Sequence, residues 1–213
     1  MVEIELKYAI GDKRVAEDLW NDAYIAGIEE KGSRETLLMK SVYFDTDDGA
    51  LAAGDIAFRV RQEGSRTVAS LKWNGSVDGA FHMREEINVP IDGEACLIHP
   101  DPTIFKESDV GAKLIELMAG RGLVNIMEVC FFRKSVRVDT GDSIIEISID
   151  AGEVTADSGA EPILELELEL FSGAREDLLA LGEKLAAQYD LTPESRSKYA
   201  RGLLLFRGTL RNS

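Results

Sequence analysis

Apolar and polar residues alternate at the start of the chain in a way that predicts a β-strand. Residues 1–7 place three apolar side chains on one face of an extended segment and Glu3, Glu5 and Lys7 on the other, because successive side chains of a strand point to opposite faces. The same alternation recurs in seven further segments, at residues 36–46, 55–61, 66–73, 81–89, 129–138, 144–150 and 163–170. The sequence therefore predicts about eight strands.

The polar faces of several of these strands carry charges of a single sign. Glu165, Glu167 and Glu169 share one face of their segment, and Arg59 and Arg61 share one face of another. Neighbouring like charges repel each other, so a face made only of glutamate favours a cation beside it. Further charged residues stand on the polar faces of the other strands, namely Lys72, Arg84, Glu86, Arg133, Glu146 and Asp150.

Helical spacing of apolar residues predicts four helices between and after the strands. They cover residues 12–27 and 109–118, a stretch from an N-cap at Ser172 to about residue 190, and, after a break at Pro193, residues 194–206. If the apolar strand faces packed against each other, the helices would have little left to cover. If the sheet closes with its charged faces inward, the helices cover the outer apolar faces. The pattern alone leaves both arrangements open.

Length and charge narrow the class of protein. The chain has 213 residues, which fits a single domain over residues 1–213. It has no apolar run long enough to span a bilayer and no signal-peptide pattern at its start, so we expect a cytoplasmic protein that does not associate with membranes. The net charge of −15 also disfavours nucleic acid as a partner.

The chain contains only two cysteines and two histidines. Cys96 and Cys130 lack metal-binding spacing and are expected to be reduced. His82 and His99 are too scattered for a zinc site or a serine-type triad, although His82 lies on a polar strand face where it could touch a ligand. Ordered arginines and lysines in an acidic chain instead favour a small, dense anion held inside a cavity.

An ordered series of motifs over nearly 200 residues resembles the CYTH superfamily, also called the triphosphate tunnel metalloenzymes. The opening Glu-x-Glu-x-Lys signature stands at Glu3, Glu5 and Lys7, and a Tyr-Phe-Asp-Thr segment stands at residues 43–46. The series continues with Arg59, Arg61, Lys72, Arg84, Glu86, Arg133, Glu146, Asp150, Glu165, Glu167 and Lys198. The chain departs from the family at Asn88, where members commonly carry a further acidic residue.

The resemblance implies an α+β fold: a closed eight-stranded antiparallel β-barrel with a charged interior, covered by several helices. The barrel forms a tunnel that binds a small-molecule triphosphate and a divalent metal. The expected substrate-binding residues are Lys7, Arg59, Arg61, Lys72, Arg84, Arg133 and Lys198. The expected metal ligands are Glu3, Glu5, Glu165 and Glu167 with Asp150 or Glu146. Ligands that offer only oxygen favour Mg²⁺ or Mn²⁺ over zinc.

The implied activity is metal-dependent hydrolysis of inorganic triphosphate to pyrophosphate and phosphate. We assign catalytic roles to Lys7, Glu86 and Glu169, with one of the two glutamates orienting the attacking water. Thiamine or nucleoside triphosphate hydrolysis is the first alternative, and a class IV adenylyl cyclase that makes cyclic AMP and pyrophosphate from ATP is the second. A protein that only binds polyphosphate would need the cations but not the glutamates.

The sequence does not resolve the group attached to the triphosphate. Trp20, Tyr24, Trp73 and Phe81 could stack on an organic group, although aromatic residues at such spacings more often belong to the core or surface. The preferred metal and the oligomeric state, for which a homodimer is one option, are also left open.

Overall fold

The charged strand faces point into a closed barrel. In the computed structural model, which describes residues 1–210, eight antiparallel strands form this barrel. They are β1 (Val2–Ala9), β2 (Glu35–Asp45), β3 (Ile56–Glu63), β4 (Arg66–Asp78), β5 (Phe81–Ile91), β6 (Val124–Asp139), β7 (Ile144–Ala156) and β8 (Gly159–Ser172). The predicted α+β barrel and its eight strands are confirmed.

The first strand closes the barrel. The strand order is β5-β4-β3-β2-β6-β7-β8-β1, and β1 also pairs with β5. Glu5 therefore lies opposite Glu169 on one side and opposite His82 on the other. A two-residue strand, β9 (Thr192–Pro193), pairs with the end of β1. Because the barrel is closed, its wall has no unpaired strand edge, and every inward side chain faces the same interior.

Six α-helices accompany the barrel in the part of the chain that the structure describes. They are α1 (Lys13–Trp20), α2 (Ala23–Ile28), α3 (Ala50–Ala53), α4 (Asp109–Met118), α5 (Arg175–Tyr189) and α6 (Lys198–Leu210), and short 3₁₀ helices cover Glu94–Leu97 and Pro102–Phe105. Helix α4 matches its predicted bounds, with Ser108 as its N-cap. The short α3 has no counterpart among the predicted helices.

Three of the helix predictions need correction. Residues 12–27 form two helices, because the Asp22 side chain accepts a hydrogen bond from the backbone of Ile25 and starts a second helix. Ser172 ends β8, and the N-cap of α5 is Ala174. The last helix begins at Lys198, since the preceding segment follows β1 as an extended chain.

Outward apolar side chains form two cores between the barrel wall and the helices. One core joins Leu6 and Leu168 of the wall to Leu178 and Leu185 of α5. The second core lies under α3 and α4 and includes Phe58 and Leu114. Burial of these residues is the main source of stability for the wall.

Helix α6 packs differently from the other helices. Tyr199 and Leu203 of α6 contact a third cluster that contains Val129 and Phe131, two residues whose side chains also line the barrel interior. Gly202 faces Met127 so closely that an added methyl group would collide with its sulfur. Helix α6 therefore lies against the inner wall at one end of the barrel.

All strands of the described residues belong to one sheet. The single domain over residues 1–213 stays a prediction, and residues 211–213 lie outside the described part of the chain. Within that part, none of the helices has the length and apolar character needed to cross a lipid bilayer.

A buried carboxylate ties α2 to α5. Asp22 is 7% exposed and accepts hydrogen bonds from the Ile25 N–H at 2.9 Å, the Gln188 amide at 2.8 Å and the Tyr189 hydroxyl at 2.7 Å. Burial by itself would raise the pKa of Asp22, but the hydrogen bonds from Tyr189 and Ile25 outweigh it and lower the pKa. The ionised carboxylate is therefore the form that stabilises this junction.

We expect Asp22→Ala to lower the free energy of unfolding by about 2 kcal/mol, because it removes an N-cap and takes the shared acceptor away from the Gln188 amide and the Tyr189 hydroxyl. Tyr189→Phe should cost about 1 kcal/mol, and the exposed Glu17→Ala on α1 should change stability by less than about 0.5 kcal/mol. Urea denaturation at pH 7 measures all three.

The stabilisation by Asp22 should also depend on pH. Since the folded-state pKa of Asp22 is lowered, its contribution to the free energy of unfolding is complete above about pH 5 and shrinks as the pH falls further. A constant penalty for Asp22→Ala down to pH 3 would contradict this account.

Candidate active site

The barrel interior is a polar tunnel with a cavity volume of about 150 Å³. Seven cationic side chains and five carboxylates line it, in a chain whose net charge is −15. The lining charges are Lys7, Arg59, Arg61, Lys72, Arg84, Arg133 and Lys198 together with Glu3, Glu5, Glu86, Glu167 and Glu169. All seven predicted substrate-binding residues thus lie in one cavity.

Strand register places opposite charges next to each other across the tunnel wall. Lys72 lies opposite Glu86, and its ammonium is 3.2 Å from that carboxylate. Lys72 also contacts Glu3 at 2.8 Å, and Glu3 lies opposite Arg84 at 3.4 Å. Lys7 bridges Glu5 at 3.2 Å and Glu167 at 2.8 Å. Buried charges of this kind are tolerated because each has a partner.

One end of the tunnel contains a compact acidic cluster. Asp150, Glu165 and Glu167 bring one oxygen each within 4.8 Å of one another. The ammonium of Lys198 contacts all three carboxylates, at 2.7 Å for Asp150 and 2.9 Å for Glu167. Arg133 holds Asp150 through two hydrogen bonds of 2.8 and 2.7 Å. Lys198 therefore occupies the position that a metal ion bound to these three carboxylates would take.

These contacts shift the ionisation of the cluster. Burial opposes the charged form of Glu167, but Lys198 and Lys7 outweigh it and hold the pKa of Glu167 well below its ordinary value. Burial likewise disfavours the charged form of Lys198, yet the surrounding carboxylates, Asp150 foremost, raise the pKa of this lysine. The lysine and Glu167 are therefore charged at neutral pH.

Three arginines, Arg59, Arg61 and Arg133, line the tunnel, and each has a carboxylate partner. The pKa of Arg61 is lowered, mainly by burial and then by the neighbouring charges of Arg59 and Arg133. The Nε of Arg61 nevertheless donates a 2.7 Å hydrogen bond to Glu63. Arg59 donates to Ser70 Oγ at 3.2 Å and lies 3.5 Å from Glu86. Its own Nε is buried and has no hydrogen-bond partner among the described residues. An unused donor beside other cations is the arrangement that an anion would complete.

Unbalanced negative charge lies on the other side of the tunnel. Glu169 lies between Glu5 on β1 and Glu146 on β7 in the strand register. Burial, and then the charges of Glu3 and Glu5, raise the pKa of Glu169 to about 7. Among the described side chains, no lysine or arginine forms an ion pair with Glu169, whereas Glu3 and Glu5 each have two. Like charges in a row favour a cation at this position.

The predicted metal ligands do not all meet. Asp150 and Glu165 are 0% and 1% exposed and lie behind the tunnel surface, against Lys198. Glu146 faces a separate opening beside Glu35 and Arg137. Burial raises the pKa of Glu146. Of the two acidic residues offered as alternatives on β7, the structure places Asp150 with Glu165 and Glu167.

Sequence reasoning missed the roles of Tyr43 and Asp45. Tyr43 lines the tunnel and stacks on Tyr199 with ring centres 5.2 Å apart. Burial would raise the pKa of Tyr43, but Arg59 and Lys72 outweigh it and lower the pKa. Asp45 leaves the inward face after a register shift in β2 and accepts hydrogen bonds from Leu51 N–H at 2.8 Å and two other backbone amides. Both residues belong to the Tyr-Phe-Asp-Thr motif, which was the sequence feature that could have indicated their roles.

Arg201 is a further charged residue that sequence reasoning missed. It lies on α6, contacts Glu161 at 2.8 Å and Glu165 at 3.1 Å, and is 4% exposed. Because Lys198 and Arg201 stand three residues apart, they share one face of the helix. Helix α6 thus delivers two cations to the acidic end of the tunnel.

Comparison with known proteins shows that this chain is similar in sequence to a curated protein. The chain is 32% identical over 208 residues to the inorganic triphosphatase of Haemophilus influenzae, and the aligned part is 95% of this chain and 54% of that protein. The chain therefore spans about half the length of the curated relative that it matches.

Two solved structures share the fold. A putative adenylyl cyclase from Hippeastrum, described as having a dominant triphosphatase activity, is 19% identical with a TM-score of 0.67, covering 97% of this chain and 96% of that one. A putative adenylate cyclase from Bacillus halodurans is 17% identical with a TM-score of 0.54, covering 92% of this chain and 95% of that one.

The family assignment comes from the sequence of almost the whole chain. Residues 1–203 match the CYTH domain, and this range includes every tunnel-lining charge described above. The resemblance seen in the motifs is therefore confirmed, and the chain belongs to the CYTH domain family.

Proposed function

We propose that the chain hydrolyses inorganic triphosphate to pyrophosphate and phosphate inside the barrel tunnel, with a divalent metal. One observation carries this proposal: Arg59, Arg61 and Arg133 line the same tunnel as the carboxylates Glu5, Glu167 and Glu169. A triphosphate with a bound divalent metal needs both kinds of group, cations for its phosphate oxygens and carboxylates for the metal. The inorganic triphosphatase of Haemophilus influenzae supports the choice of substrate.

The donor atoms fit magnesium or manganese. The carboxylates at the acidic side offer oxygen only, without histidine or cysteine among them, and hard divalent cations prefer such ligands. We propose Asp150, Glu165 and Glu167, which bring one oxygen each within 4.8 Å of one another, as the residues that would hold the metal, with Glu3 and Glu5 on the neighbouring strand β1 as further ligands. A bound metal would neutralise phosphate charge and polarise the terminal phosphoryl group. Because Lys198 sits among three of these carboxylates, it would have to move toward the phosphate when a metal binds there.

The cations of the tunnel would bind the phosphate chain. Arg59, Arg61 and Arg133 can each offer two donors to phosphate oxygens, while Lys7 offers a point charge next to Glu5 and Glu167. Within residues 1–210, the Nε of Arg59 has no hydrogen-bond partner and could make this contact. The opposing charges would hold the triphosphate along the tunnel axis and align its terminal phosphorus with an attacking water.

Geometry favours Glu169 over Glu86 for orienting that water. Glu86 is engaged by Lys72 at 3.2 Å and Arg59 at 3.5 Å, and its lone pairs face these cations. Glu169 lines the tunnel without an ion pair among the described side chains. A carboxylate that is free of cationic partners can accept a hydrogen bond from water, so we propose Glu169 for this role.

Three further properties stay predictions from the sequence. They are the preference for Mg²⁺ or Mn²⁺, the cytoplasmic location and the formation of a homodimer. A class IV adenylyl cyclase would need the ribose 3′-hydroxyl at the α-phosphorus, and its products differ from those of a hydrolase.

A product assay tests the proposed reaction. Purified chain is supplied with inorganic triphosphate, thiamine triphosphate or ATP, with Mg²⁺, Mn²⁺ or EDTA. We expect metal-dependent release of phosphate and pyrophosphate from inorganic triphosphate, and no release with EDTA. Cyclic AMP with pyrophosphate from ATP, in place of triphosphate hydrolysis, would show a cyclase; binding without turnover of any substrate would show a binding protein.

Glu5→Gln tests the metal assignment. This change keeps the shape of the side chain but removes its charge, so we expect kcat to fall by about 100-fold or more. Calorimetric titration with Mn²⁺ should show weakened metal binding, while triphosphate still binds. Glu153→Gln, an exposed change on β7, is the control. A Glu5→Gln protein with normal kcat and normal Mn²⁺ affinity would remove Glu5 from the metal site.

Arg59→Lys tests the phosphate contact. Lysine keeps the charge but loses the two-pronged contact, so we expect kcat/KM for inorganic triphosphate to fall by about 5- to 150-fold, equivalent to about 1–3 kcal/mol. Arg66→Lys changes an exposed residue at the start of β4 and should leave kcat/KM unchanged. Equal kcat/KM for Arg59→Lys and Arg66→Lys would mean that Arg59 does not contact the substrate.

A further inference from the structure

One sector of the outer barrel wall is left exposed in the part of the chain that the structure describes. It lies on β2, β6 and β7, between the core under α3 and α4 and the core that packs on α5. Val42 of the first core stands two residues from Lys40 on β2, and Ile149 of the second stands two residues from Ala151 on β7. We call the outward side chains of this sector the open face, which is centred on residues 128–134 of β6.

A short apolar row crosses the centre of the open face. Strand register sets Leu38 of β2 beside Phe132 of β6, and Phe132 beside Ala151 of β7. Phe132 is 58% exposed, and Cys130, the next outward residue of β6, is also exposed. Phe132 belongs to none of the three apolar clusters of the described residues. An exposed phenyl ring within an apolar row is the kind of anchor that protein interfaces bury.

Opposite charges stand at the two ends of the open face. Because Phe131 and Arg133 line the tunnel, the alternating residues of β6 face outward. Glu128 at one end accepts a 3.0 Å hydrogen bond from Asn125, and the ammonium of Lys134 at the other end lies 5.6 Å from the centre of an indole ring. Neither contact neutralises a charge. The strand therefore presents an acidic end, an apolar centre and a basic end.

A second copy of the chain, laid face to face with β6 antiparallel, complements this order. A twofold axis that crosses β6 at right angles between Cys130 and Phe132 sets Glu128 of each copy opposite Lys134 of the other, so the pair occurs twice. Stacked sheets lie about 10 Å apart, a distance that long side chains can bridge. A twofold axis along β6 would instead set Glu128 against Glu128 and Lys134 against Lys134. Like charges repel, so the charges favour the antiparallel arrangement.

The neighbouring strands agree with the antiparallel arrangement. Lys40 and Glu153 flank Cys130 in the register, so the same twofold axis places them over Leu38 and Ala151 of the other copy. The methylene stem of a lysine can cover apolar surface while its ammonium stays in water at the rim. No like charge therefore lies directly opposite these two residues.

We propose that the chain forms a homodimer through the open face, with β6 of the two copies stacked antiparallel. Phe132 of each copy would cover Cys130 of the other at the centre, where interfaces are most apolar. Glu128 and Lys134 would form an ion pair at each end. The tunnel side chains, such as Arg133, lie on the other side of the wall, so both tunnels would stay clear of the interface. This dimer does not depend on which reaction the chain catalyses.

Charge reversal tests the antiparallel pairing. Analytical ultracentrifugation measures the dissociation constant of the dimer. Glu128→Lys or Lys134→Glu alone sets like charges opposite each other and should raise this constant by about tenfold or more. The double variant Glu128→Lys/Lys134→Glu exchanges the two charges and should return the constant to within about threefold of the starting value. An unsubstituted chain that stays monomeric, single variants without effect, or a double variant as weak as the single ones would each overturn the proposal.

Cross-linking at Cys130 tests the position of the interface. The chain has two cysteines, so Cys96→Ser leaves Cys130 as the reactive thiol and Cys130→Ser leaves Cys96 as the matched control. A short bismaleimide should join two Cys96→Ser chains but not two Cys130→Ser chains. In the Cys96→Ser protein, Phe132→Asp should remove the cross-linked product, while Phe171→Asp changes a similarly exposed aromatic residue on β8 and should keep it. Equal cross-linking of the two cysteine variants, or a product that survives Phe132→Asp, would contradict an interface at the open face.

Discussion

Mutual neutralisation of charges inside a closed barrel is the constraint on which this structure depends. Moving a charged side chain out of water is costly unless an opposite charge and hydrogen bonds replace the solvent. Antiparallel register meets this requirement along the wall, where Lys72 lies opposite Glu86, Arg133 opposite Asp150, and Lys7 opposite Glu167. A shift of one residue in any strand would turn its charges outward and its apolar side chains into the tunnel. The charged interior therefore specifies register as strongly as the outer cores do.

Neutralisation is incomplete at two places, and these are the places where ligands are expected. Among the described residues, the buried Nε of Arg59 has no hydrogen-bond partner, and Glu169 lies between Glu5 and Glu146 without an ion pair to a lysine or arginine. Charges left unbalanced in this way cost stability in the empty protein and favour binding of an anion and a cation together. The same reasoning explains Lys198, whose ammonium takes the central position among three carboxylates. Substrate and metal would replace contacts that the protein makes with itself.

The segment that leads into α6 connects two strands of the barrel wall to the acidic cluster. The backbone N–H of Glu194 donates to the backbone carbonyl of Lys7 on β1, and the Glu194 carbonyl accepts a hydrogen bond from His82 on β5. Three residues later, Ser197 starts the turn that directs Lys198 toward the acidic cluster. The sequence placed Lys198 in a predicted helix, but it did not show that this helix packs on the inner wall. Packing of this kind depends on contacts between residues far apart in the chain.

The sequence by itself determined the eight strands, the sorting of their polar and apolar side chains onto opposite faces, and the identity of nearly all tunnel charges, because alternation with period two is a local property of the chain. It also placed Asp22 within one helical stretch but missed the break, where Asp22 caps the second helix through the Ile25 N–H. The contacts of Asp22 with Tyr189 and Gln188 of a distant helix were visible only in the tertiary structure. Only the tertiary structure decided that the charged faces point inward, because closure depends on the pairing of β1 with β5. The same holds for the separation of Glu146 from Asp150: the two share a strand face, but the length of the strand carries them to different openings.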